Sequence, residues 1–384
     1  MIYEGLDQYM IRSTILPANW GYSIFNEDIK NFLKIKKINE SILVSTNGFF
    51  DRLQEIGSNS KISDGIKESY MKYVLRMALR PTPYGTFSGV EIGHYGDETR
   101  ILVDADENLR KITRPDMSWI YNLIRKIERD ENINRYLELQ CAQQIMLKGN
   151  KLINPIVLDE SSDITVSITM NPLIEKIVSL CKTPYQCQKL IECIKKVYPD
   201  VEEKKIIDVI DKLLEKGILL SNLKPPLSNT NPLKYIVNIL EKIPYTESYL
   251  ASLAHLKKIL YKYEKCKIGA GIEYYKTATK YMKNIVESNE YLQVDSRLML
   301  KFNSISSNVK NEIVSFVNDM SKMSMAITNM NPLEEYRNRF IEFYGYNTEV
   351  PIKILLDEEM GLGVPDGYKN SMDNRKNYHN SIFP

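Results

Sequence analysis

Apolar residues recur at helical spacing in some stretches of the chain and alternate with polar residues in others. One apolar stripe predicts a helix over residues 61–80: Ile66, Tyr70, Tyr73, Val74 and Met77. Pro81 should end that helix, because proline disfavours helical geometry in the residue before it. Upstream, the pattern predicts a helix near residues 26–37 and a short strand at residues 41–45, where the sequence is SILVS.

Two β-rich segments follow the first long helix. Residues 86–93 and 99–103 are separated by a polar turn, and this arrangement predicts a hairpin. A further helix should begin after Pro115, with Asp116 or Ser118 near its cap, and end near residue 128.

Residues 143–222 have the pattern of a compact module. Three strand candidates, at 145–147, 152–158 and 164–169, precede three short helices. The starts of these helices carry Asn171-Pro172, Thr183-Pro184 and a capping-box-like Asp200 with Glu203. Gly217 suits the position just after the last helix. The order of elements is typical of a winged helix-turn-helix.

The rest of the chain is predicted to be mainly helical. Residues 224–232, which contain Lys224-Pro225-Pro226 and Asn231-Pro232, form the best linker. Helices are expected at about 232–242, 246–263, 271–288, 305–328 and 332–343. Between them, residues 291–301 alternate strictly, which predicts a strand with Gln293, Asp295 and Arg297 on one face.

These elements predict an α+β chain of several mixed subdomains. It should contain short antiparallel sheets, an embedded winged helix-turn-helix and a helical C-terminal region. The expected divisions are residues 1–142, 143–222, 223–370 and a polar tail at 371–384.

Composition narrows the function classes. The chain has 384 residues, enough for two or three structural units, and a net charge of +2. Any RNA site must therefore be a local basic patch. Five cysteines without a CxxC pair fit a reducing cytosol, and three scattered histidines make a metal site improbable. The N-terminus is not a signal peptide, and no apolar run is long enough for a membrane span.

Arg76 and Arg80 lie four residues apart, on one face near the end of the predicted helix at 61–80. Two neighbouring guanidinium groups suit a phosphate or carboxylate, although a bare pair at this spacing is most often a solvated helix face. The rigid turn Thr82-Pro83-Tyr84-Gly85 follows directly and favours a binding site, because it fixes side chains relative to the helix end.

A longer pattern surrounds this pair in residues 76–93, RMALRPTPYGTFSGVEIG. The pattern R-x3-R-x-T-P-[FY]-G-x-F-x-G-V resembles the signature of the N-terminal, aminoacyl-tRNA-dependent part of lantibiotic dehydratases. The matching residues are Arg76, Arg80, Thr82, Pro83, Tyr84, Gly85, Phe87, Gly89 and Val90.

Other segments resemble the same family in the same order. Arg12 matches the arginine of its opening element, and Asp116, two residues after Arg114, matches an aspartate before a helix. Asp295 matches its strand aspartate, and residues 343–365 resemble its F-Y-G…VP…LLD…GLG-P block. The resemblance spans residues 10 to 368, nearly the whole chain.

The resemblance implies transfer of glutamate from glutamyl-tRNA to Ser or Thr side chains of a ribosomally made precursor peptide. Glutamyl-tRNA is then a co-substrate, no cofactor is needed, and a separate domain of the family eliminates glutamate to leave dehydroamino acids. Because the tRNA ester is already activated, such a site needs positioning, charge stabilisation and a base. The implied catalytic residues are Arg76, Arg80, Thr82, Asp116 and Asp295. The implied tRNA contacts are Arg12, Arg76, Arg80 and Arg114. Which residue is the base stays open.

Taken alone, two of these residues have plainer interpretations. Asp295 could be a surface aspartate paired with its same-face neighbour Arg297, and Asp116 could simply cap a helix. The resemblance also implies that the strand at 290–302 returns to the transfer site.

In this family a module at the place of residues 143–222 binds the leader segment of the precursor peptide. The leader adds as a strand, here along residues 164–169, and packs against the third helix. The implied contacts are Ile164, Val166, Ile168, Ile206, Ile210 and Leu213. A DNA-binding role is disfavoured, because the third helix is rich in acidic residues, and a purely structural role stays open.

The family's glutamylating part normally runs several hundred residues further, and a further basic site residue and the elimination domain lie in that extension. An excised fragment, a split enzyme and a truncated gene product are the alternatives. Expected partners are the precursor peptide, glutamyl-tRNA and a chain that supplies the rest, with a cyclase and a transporter as further candidates. Two function classes stay open: an enzyme half that needs its complement, and a non-catalytic module that binds the leader and tRNA. A cytoplasmic location is expected, and association with a membrane-bound complex and homodimer formation stay open.

Overall fold

The computed structural model describes residues 3–24, 31, 33–56, 62–104, 108–157, 164–325 and 332–365. The chain divides into two units, one of residues 7–305 and one that joins residues 1–6 to residues 306–384. The expected helix near 26–37 lies largely outside the described residues, and the polar tail at 371–384 lies wholly outside them.

The strands are numbered in chain order. They are β1 (Gln8–Thr14), β2 (Ser88–Gly96), β3 (Arg100–Val103), β4 (Leu109–Pro115), β5 (Glu138–Cys141), β6 (Met146–Lys148), β7 (Lys151–Val157), β8 (Ile164–Thr169), β9 (Tyr185–Gln186), β10 (Leu219–Ser221), β11 (Leu292–Leu298) and β12 (Leu300–Ser306).

The helices follow the same numbering. They are α1 (Ala18–Ser23), α2 (Lys36–Ser45), α3 (Asn47–Gln54), α4 (Asp64–Leu79), α5 (Met117–Glu128), α6 (Pro172–Leu180), α7 (Cys187–Val197), α8 (Glu203–Glu215), α9 (Pro232–Leu240), α10 (Glu247–Lys265), α11 (Ile272–Ile285), α12 (Ser307–Met325), α13 (Pro332–Tyr344) and α14 (Ile352–Leu355). Together with the short sheets, they confirm the predicted α+β class.

A six-stranded sheet dominates the first unit. Its order is β3-β12-β2-β11-β4, and β1 pairs with β2 off this path. The β1–β2, β4–β11 and β3–β12 pairs are antiparallel, whereas β2 and β11 meet in parallel. The predicted hairpin of residues 86–93 with 99–103 is therefore wrong, because β12 lies between β2 and β3.

Helices α2 and α5 each have an apolar face that is buried, and α5 also has a capping residue. The predicted strand at residues 41–45 is wrong, because this segment continues α2, in which Ile38 and Ile42 occupy one buried face four residues apart. Helix α5 begins as expected, since the Asp116 carboxylate accepts the backbone N–H of Ser118 at 2.8 Å. The buried face of α5 consists of Trp119, Ile120, Leu123, Ile124 and Ile127.

A buried ion pair joins α2 to β4. Lys111 Nζ lies 2.6 Å from Glu40 Oε1, and neither side chain is exposed to solvent. Glu40 Oε2 accepts the backbone N–H groups of Gly269 and Gly271 at 2.6 and 2.8 Å. Strand β4 is thereby fixed to α2 and to the loop before α11.

A second antiparallel sheet has the order β6-β7-β8, and helices α6, α7 and α8 follow it along the chain. The Asn171 side chain accepts the backbone N–H of Ile174 at 2.9 Å, as its predicted cap position requires. Gly217 follows α8 with φ of +62°. Strand β10 pairs with β5 in a third sheet of order β10-β5-β9. The strand and helix order matches the expectation, while the winged helix-turn-helix and the domain boundaries stay predictions.

The second unit contains α12, α13 and α14. Asn318 of α12 bonds both the backbone N–H and the carbonyl of Tyr3, each at 3.1 Å. The Tyr336 hydroxyl donates to the Gly363 carbonyl at 2.6 Å. None of the described helices is both long and apolar enough to cross a membrane.

Candidate functional site

The turn after α4 is held from two sides. Gly85 has φ of +55°, a left-handed conformation that glycine adopts without strain. Its carbonyl accepts the hydroxyl of Ser296 on β11 at 3.2 Å. The next residue, buried Thr86, donates its hydroxyl to the Ser41 hydroxyl of α2 at 2.7 Å. The turn therefore has a fixed position relative to β11 and α2, and Thr82 stands exposed at its start.

Arg76 lies in the last turn of α4 and packs on aromatic rings. Its guanidinium lies 4.4 Å from the ring centre of Tyr84 and 5.8 Å from that of Phe87. Arg80 is the exposed C-cap residue and has extended backbone angles. The two arginines thus do not share one helical face, because the helix ends before Arg80.

Arg114 and Asp295 form an ion pair across β4 and β11. Nη1 of Arg114 lies 3.0 Å from Oδ2 of Asp295, and the two side chains are 39% and 45% exposed. The contact is diagonal in the sheet, since Asp295 stands opposite Ile112. The plainer alternative, in which Asp295 pairs with Arg297, is therefore wrong in its choice of partner.

Arg297 instead binds Glu91 on β2. Its Nε donates to Glu91 Oε2, and its Nη2 donates to Oε1 at 3.3 Å. This bond to Arg297 is the main reason that the pKa of Glu91 is lowered, although partial burial acts in the opposite direction. Glu91 is therefore a carboxylate at neutral pH.

A cross-strand row connects Arg12 to this region. Arg12 on β1 stands opposite Val90 on β2, and Val90 in turn pairs with Arg297 on β11. Arg297 also stands opposite Arg110 on β4. Three arginines are thus aligned across the sheet.

An open hollow of about 350 Å³ lies beside the turn and between β2 and β11. We call it the β2–β11 hollow. Its lining comprises Pro83, Gly85, Val90, Glu91, Ile92, Ile112, Asp295, Ser296 and Arg297. The hollow therefore combines apolar walls with two carboxylates and one guanidinium.

Asp116 caps α5, as the plainer interpretation of this residue proposed. Burial raises the pKa of the neighbouring Glu290, and the charge of Asp116 adds to this rise. Among the described residues, no three His, Cys, Asp or Glu side chains are grouped as metal ligands would be. The expectation that no cofactor is needed stays a prediction.

Comparison with protein-family models gives a match to "Lantibiotic dehydratase, N terminus" over residues 34–381. The chain belongs to the lantibiotic dehydratase family.

Three biosynthesis proteins are similar to this chain over almost its whole length. Subtilin biosynthesis protein SpaB of Bacillus subtilis is 26% identical over 380 residues, which are 96% of this chain and 36% of SpaB. Epidermin biosynthesis protein EpiB of Staphylococcus epidermidis is 26% identical over 383 residues, 96% of this chain and 38% of EpiB. Nisin biosynthesis protein NisB of Lactococcus lactis subsp. lactis is 25% identical over 377 residues, which are 94% of this chain and 36% of NisB. The chain thus spans just over a third of the length of these relatives.

Two solved structures share the fold. The tRNA-dependent lantibiotic dehydratase MibB from Microbispora sp. 107891 superposes with a TM-score of 0.76 at 22% identity, covering 94% of this chain and 35% of MibB. The TbtB glutamylation domain from thiomuracin biosynthesis, bound to 5'-phosphodesmethylglutamycin, superposes with a TM-score of 0.52 at 14% identity. The match covers 82% of this chain and 39% of the TbtB chain.

Several dehydratase signature residues meet around the β2–β11 hollow. Asp295 lines it, Thr82 is next to the lining residue Pro83, and Arg12 faces the lining residue Val90. Arg114 reaches the hollow through Asp295. Arg76 is connected to the turn beside the hollow through Tyr84, whereas Asp116 and Arg80 are not among the residues that line the hollow.

The residues expected to bind a leader peptide fall into two groups. Ile164, Val166 and Ile168 belong to β8, whose only described pairing partner is β7, so β8 is an edge strand. Ile206, Ile210 and Leu213 of α8 are at most 2% exposed. The expected surface role of these three is corrected, because their side chains fill the core and offer no contact to a peptide.

The sequence did not identify three charged residues near the hollow, which are Glu91, Arg110 and Arg297. Their proximity depends on the β2–β11 and β4–β11 pairings, which join segments about 200 residues apart. The predicted hairpin was incompatible with this arrangement, because it paired β2 with residues 99–103 and not with β11. The one available signal was the alternation of Asp295 and Arg297 on one strand face.

Proposed function

We propose that this part of a lantibiotic dehydratase transfers glutamate from glutamyl-tRNA to Ser and Thr side chains of a ribosomal precursor peptide. One observation carries the proposal: the signature turn of residues 82–85, Asp295, and the cross-strand row of Arg12, Val90 and Arg297 all lie at the β2–β11 hollow. An exposed hollow suits a reaction between two macromolecular substrates, since both can approach it without deep burial.

The reaction needs no activation of the acyl group. The peptide hydroxyl oxygen attacks the ester carbonyl that joins glutamate to the terminal ribose, and a new ester bond forms. The bond from the carbonyl to the ribose oxygen breaks, and the ribose leaves as an alcohol carrying the proton. Asp295 is the carboxylate of the hollow best suited to take the hydroxyl proton and pass it on.

The arginines supply positioning and charge. Arg12 and Arg80 are exposed and suit phosphates near the tRNA 3′ end. Arg76, held by Tyr84, is suited to one fixed contact, and Thr82 offers a hydroxyl at the rim. The ion pair with Asp295 favours a positioning role for Arg114 over direct tRNA contact, and the capping role of Asp116 favours a supporting role for that residue.

Leader recognition is proposed for β8. The edge of β8 away from β7 pairs with no described strand and offers backbone groups for an added strand, with Val166 and Ile168 half-buried along β8. A non-catalytic module that binds leader and tRNA is the second candidate function, and the same edge supports it.

The test supplies glutamyl-tRNA and a precursor peptide to the chain, alone and together with a chain covering the remainder of a dehydratase. A mass gain of one glutamyl unit per modified Ser or Thr is expected with the complement, and Asp295→Asn should abolish it. If no glutamyl unit is added in either case while labelled leader still binds, the non-catalytic function replaces the proposed one.

A further inference from the structure

The β2–β11 hollow has a charge pattern that hydroxyl attack on an ester does not require. The Glu91 and Asp295 carboxylates line it together with the Arg297 guanidinium, and Val90, Ile92 and Ile112 supply its apolar wall. A single-sign patch would be enough to hold phosphates. Charges of both signs beside an apolar surface suit a small ligand that itself carries both signs.

An aminoacyl ester of tRNA is such a ligand. Its α-amino group is free and protonates near neutral pH, and a glutamyl side chain adds a carboxylate at the end of two methylene groups. We propose that the hollow receives the aminoacyl group itself, with Glu91 facing the α-ammonium and Arg297 facing the side-chain carboxylate. This inference rests on the function proposed above and adds the residues that select the amino acid.

Arg297 has donors to spare for this role. Only its Nε and Nη2 are used by Glu91, and a guanidinium carries five N–H donors in a planar fork. Its side chain is 58% exposed. The two-point contact with Glu91 therefore fixes the plane of the guanidinium and leaves its remaining edge for a carboxylate.

Glu91 keeps one acceptor site, because Oε1 accepts both Nη2 of Arg297 and the backbone N–H of Ile92, whereas Oε2 accepts only Nε of Arg297. Arg114 binds Oδ2 of Asp295, which leaves Oδ1 for another donor. Ile92 and Ile112, each 45% exposed, give the methylene groups of a glutamyl side chain an apolar surface. Every aminoacyl-tRNA presents the ammonium, whereas only acidic amino acids present the side-chain carboxylate. Arg297 is thus the specificity-determining residue of the two that contact the aminoacyl group.

The experiment uses three non-hydrolysable amide analogues of aminoacyl-adenosine, carrying glutamyl, glutaminyl or glutaryl groups. The glutaminyl group removes the side-chain charge, and the glutaryl group removes the ammonium. Calorimetric titration of the whole chain should show about tenfold tighter binding of the glutamyl analogue than of either of the others.

Arg297→Met should abolish the preference for glutamyl over glutaminyl and keep the preference for glutamyl over glutaryl. Glu91→Gln should weaken the preference for glutamyl over glutaryl. Arg100→Met is the matched control, since Arg100 lies over Phe302 at the sheet edge, away from the hollow lining. In that variant, the preference for glutamyl over glutaminyl and the preference for glutamyl over glutaryl should both be unchanged. Far-ultraviolet circular dichroism checks that each variant is folded.

The possible failures separate the two proposals. Equal binding of the glutamyl and glutaminyl analogues, or an unchanged ratio in Arg297→Met, overturns the role of Arg297 and leaves the transfer function in place. If none of the analogues binds the wild-type chain, the aminoacyl-tRNA function is overturned together with the assignment of the hollow.

Discussion

Lys111 Nζ lies 2.6 Å from Glu40 Oε1, in a part of the first unit that solvent does not reach. The lysine also lies 4.0 Å from the ring centre of Tyr263. Gly271 makes room for the pair, because a β-carbon there would lie 2.5 Å from Lys111 Nζ. Lys111 belongs to β4, the strand that carries Arg114, so this pair contributes to the position of the candidate site.

Removal of one partner of this pair should be strongly destabilising. Lys111→Met leaves the Glu40 carboxylate buried without its counter-ion, and we expect a loss of about 3–5 kcal/mol in the free energy of unfolding. Urea denaturation measures it. The control is Lys72→Met, which breaks the solvent-exposed Lys72–Glu68 pair and should leave the free energy of unfolding close to that of the wild type. Equal effects in the two variants would contradict a buried, unscreened pair.

Gly89 should not tolerate a side chain. A β-carbon at this position would lie 2.9 Å from the backbone nitrogen of Leu298, where β2 approaches β11. We expect Gly89→Ala to lower the unfolding free energy by roughly 2 kcal/mol or more, since the strands must separate. In contrast, Gly65→Ala in α4 meets open space and should stabilise by up to about 1 kcal/mol. Thermal melts of the two variants should shift in opposite directions.

The Arg114–Asp295 pair should contribute little to stability. Because both side chains are about 40% exposed, a double-mutant cycle with Arg114→Gln and Asp295→Asn should give a coupling of about 0.2–1 kcal/mol in the unfolding free energy. The coupling should shrink as salt is added. A coupling that exceeds about 2 kcal/mol and persists in salt would mean that the pair is better shielded than its exposure indicates.

Glu128 should make stability depend on pH. Burial raises the pKa of its carboxyl, and the positive charges of Lys224 and Arg125 offset this only in part. The folded state therefore holds the proton more tightly than the unfolded chain. The stabilising contribution is fully present below the unfolded pKa and is lost as the pH rises through the folded pKa.

Glu128→Gln, which cannot ionise, should thus have a larger free energy of unfolding than the wild type near about pH 7. The difference should vanish near about pH 4, where both carry a neutral side chain. Urea titrations at the two pH values measure it. A variant that is less stable at neutral pH would show that the ionised carboxylate is favoured in the folded protein.

Local features of the site were predictable, and the strand pairings were not. The caps at Asp116 and Asn171 and the turn at Gly85 depend on neighbouring residues, so the sequence indicates them directly. The partner of Asp295 depends on how β4 pairs with β11, across about 180 residues. The helix at residues 41–45 shows the same limit, because burial of Ile42 against distant residues outweighs its preference for a strand.

The order of strands in the large sheet also determines when, during translation, that sheet can form. Strands β2 and β3 leave the ribosome early, yet their neighbours β11 and β12 end at Leu298 and Ser306. While about 200 further residues are synthesised, the Gly85 carbonyl has no Ser296 hydroxyl to accept, and Glu91 has no Arg297 to bind. The segment from β6 to α8 pairs its strands β6, β7 and β8 locally and can become ordered during that interval. The β8 edge, for which we propose leader binding, would then exist on the nascent chain before the β2–β11 hollow does.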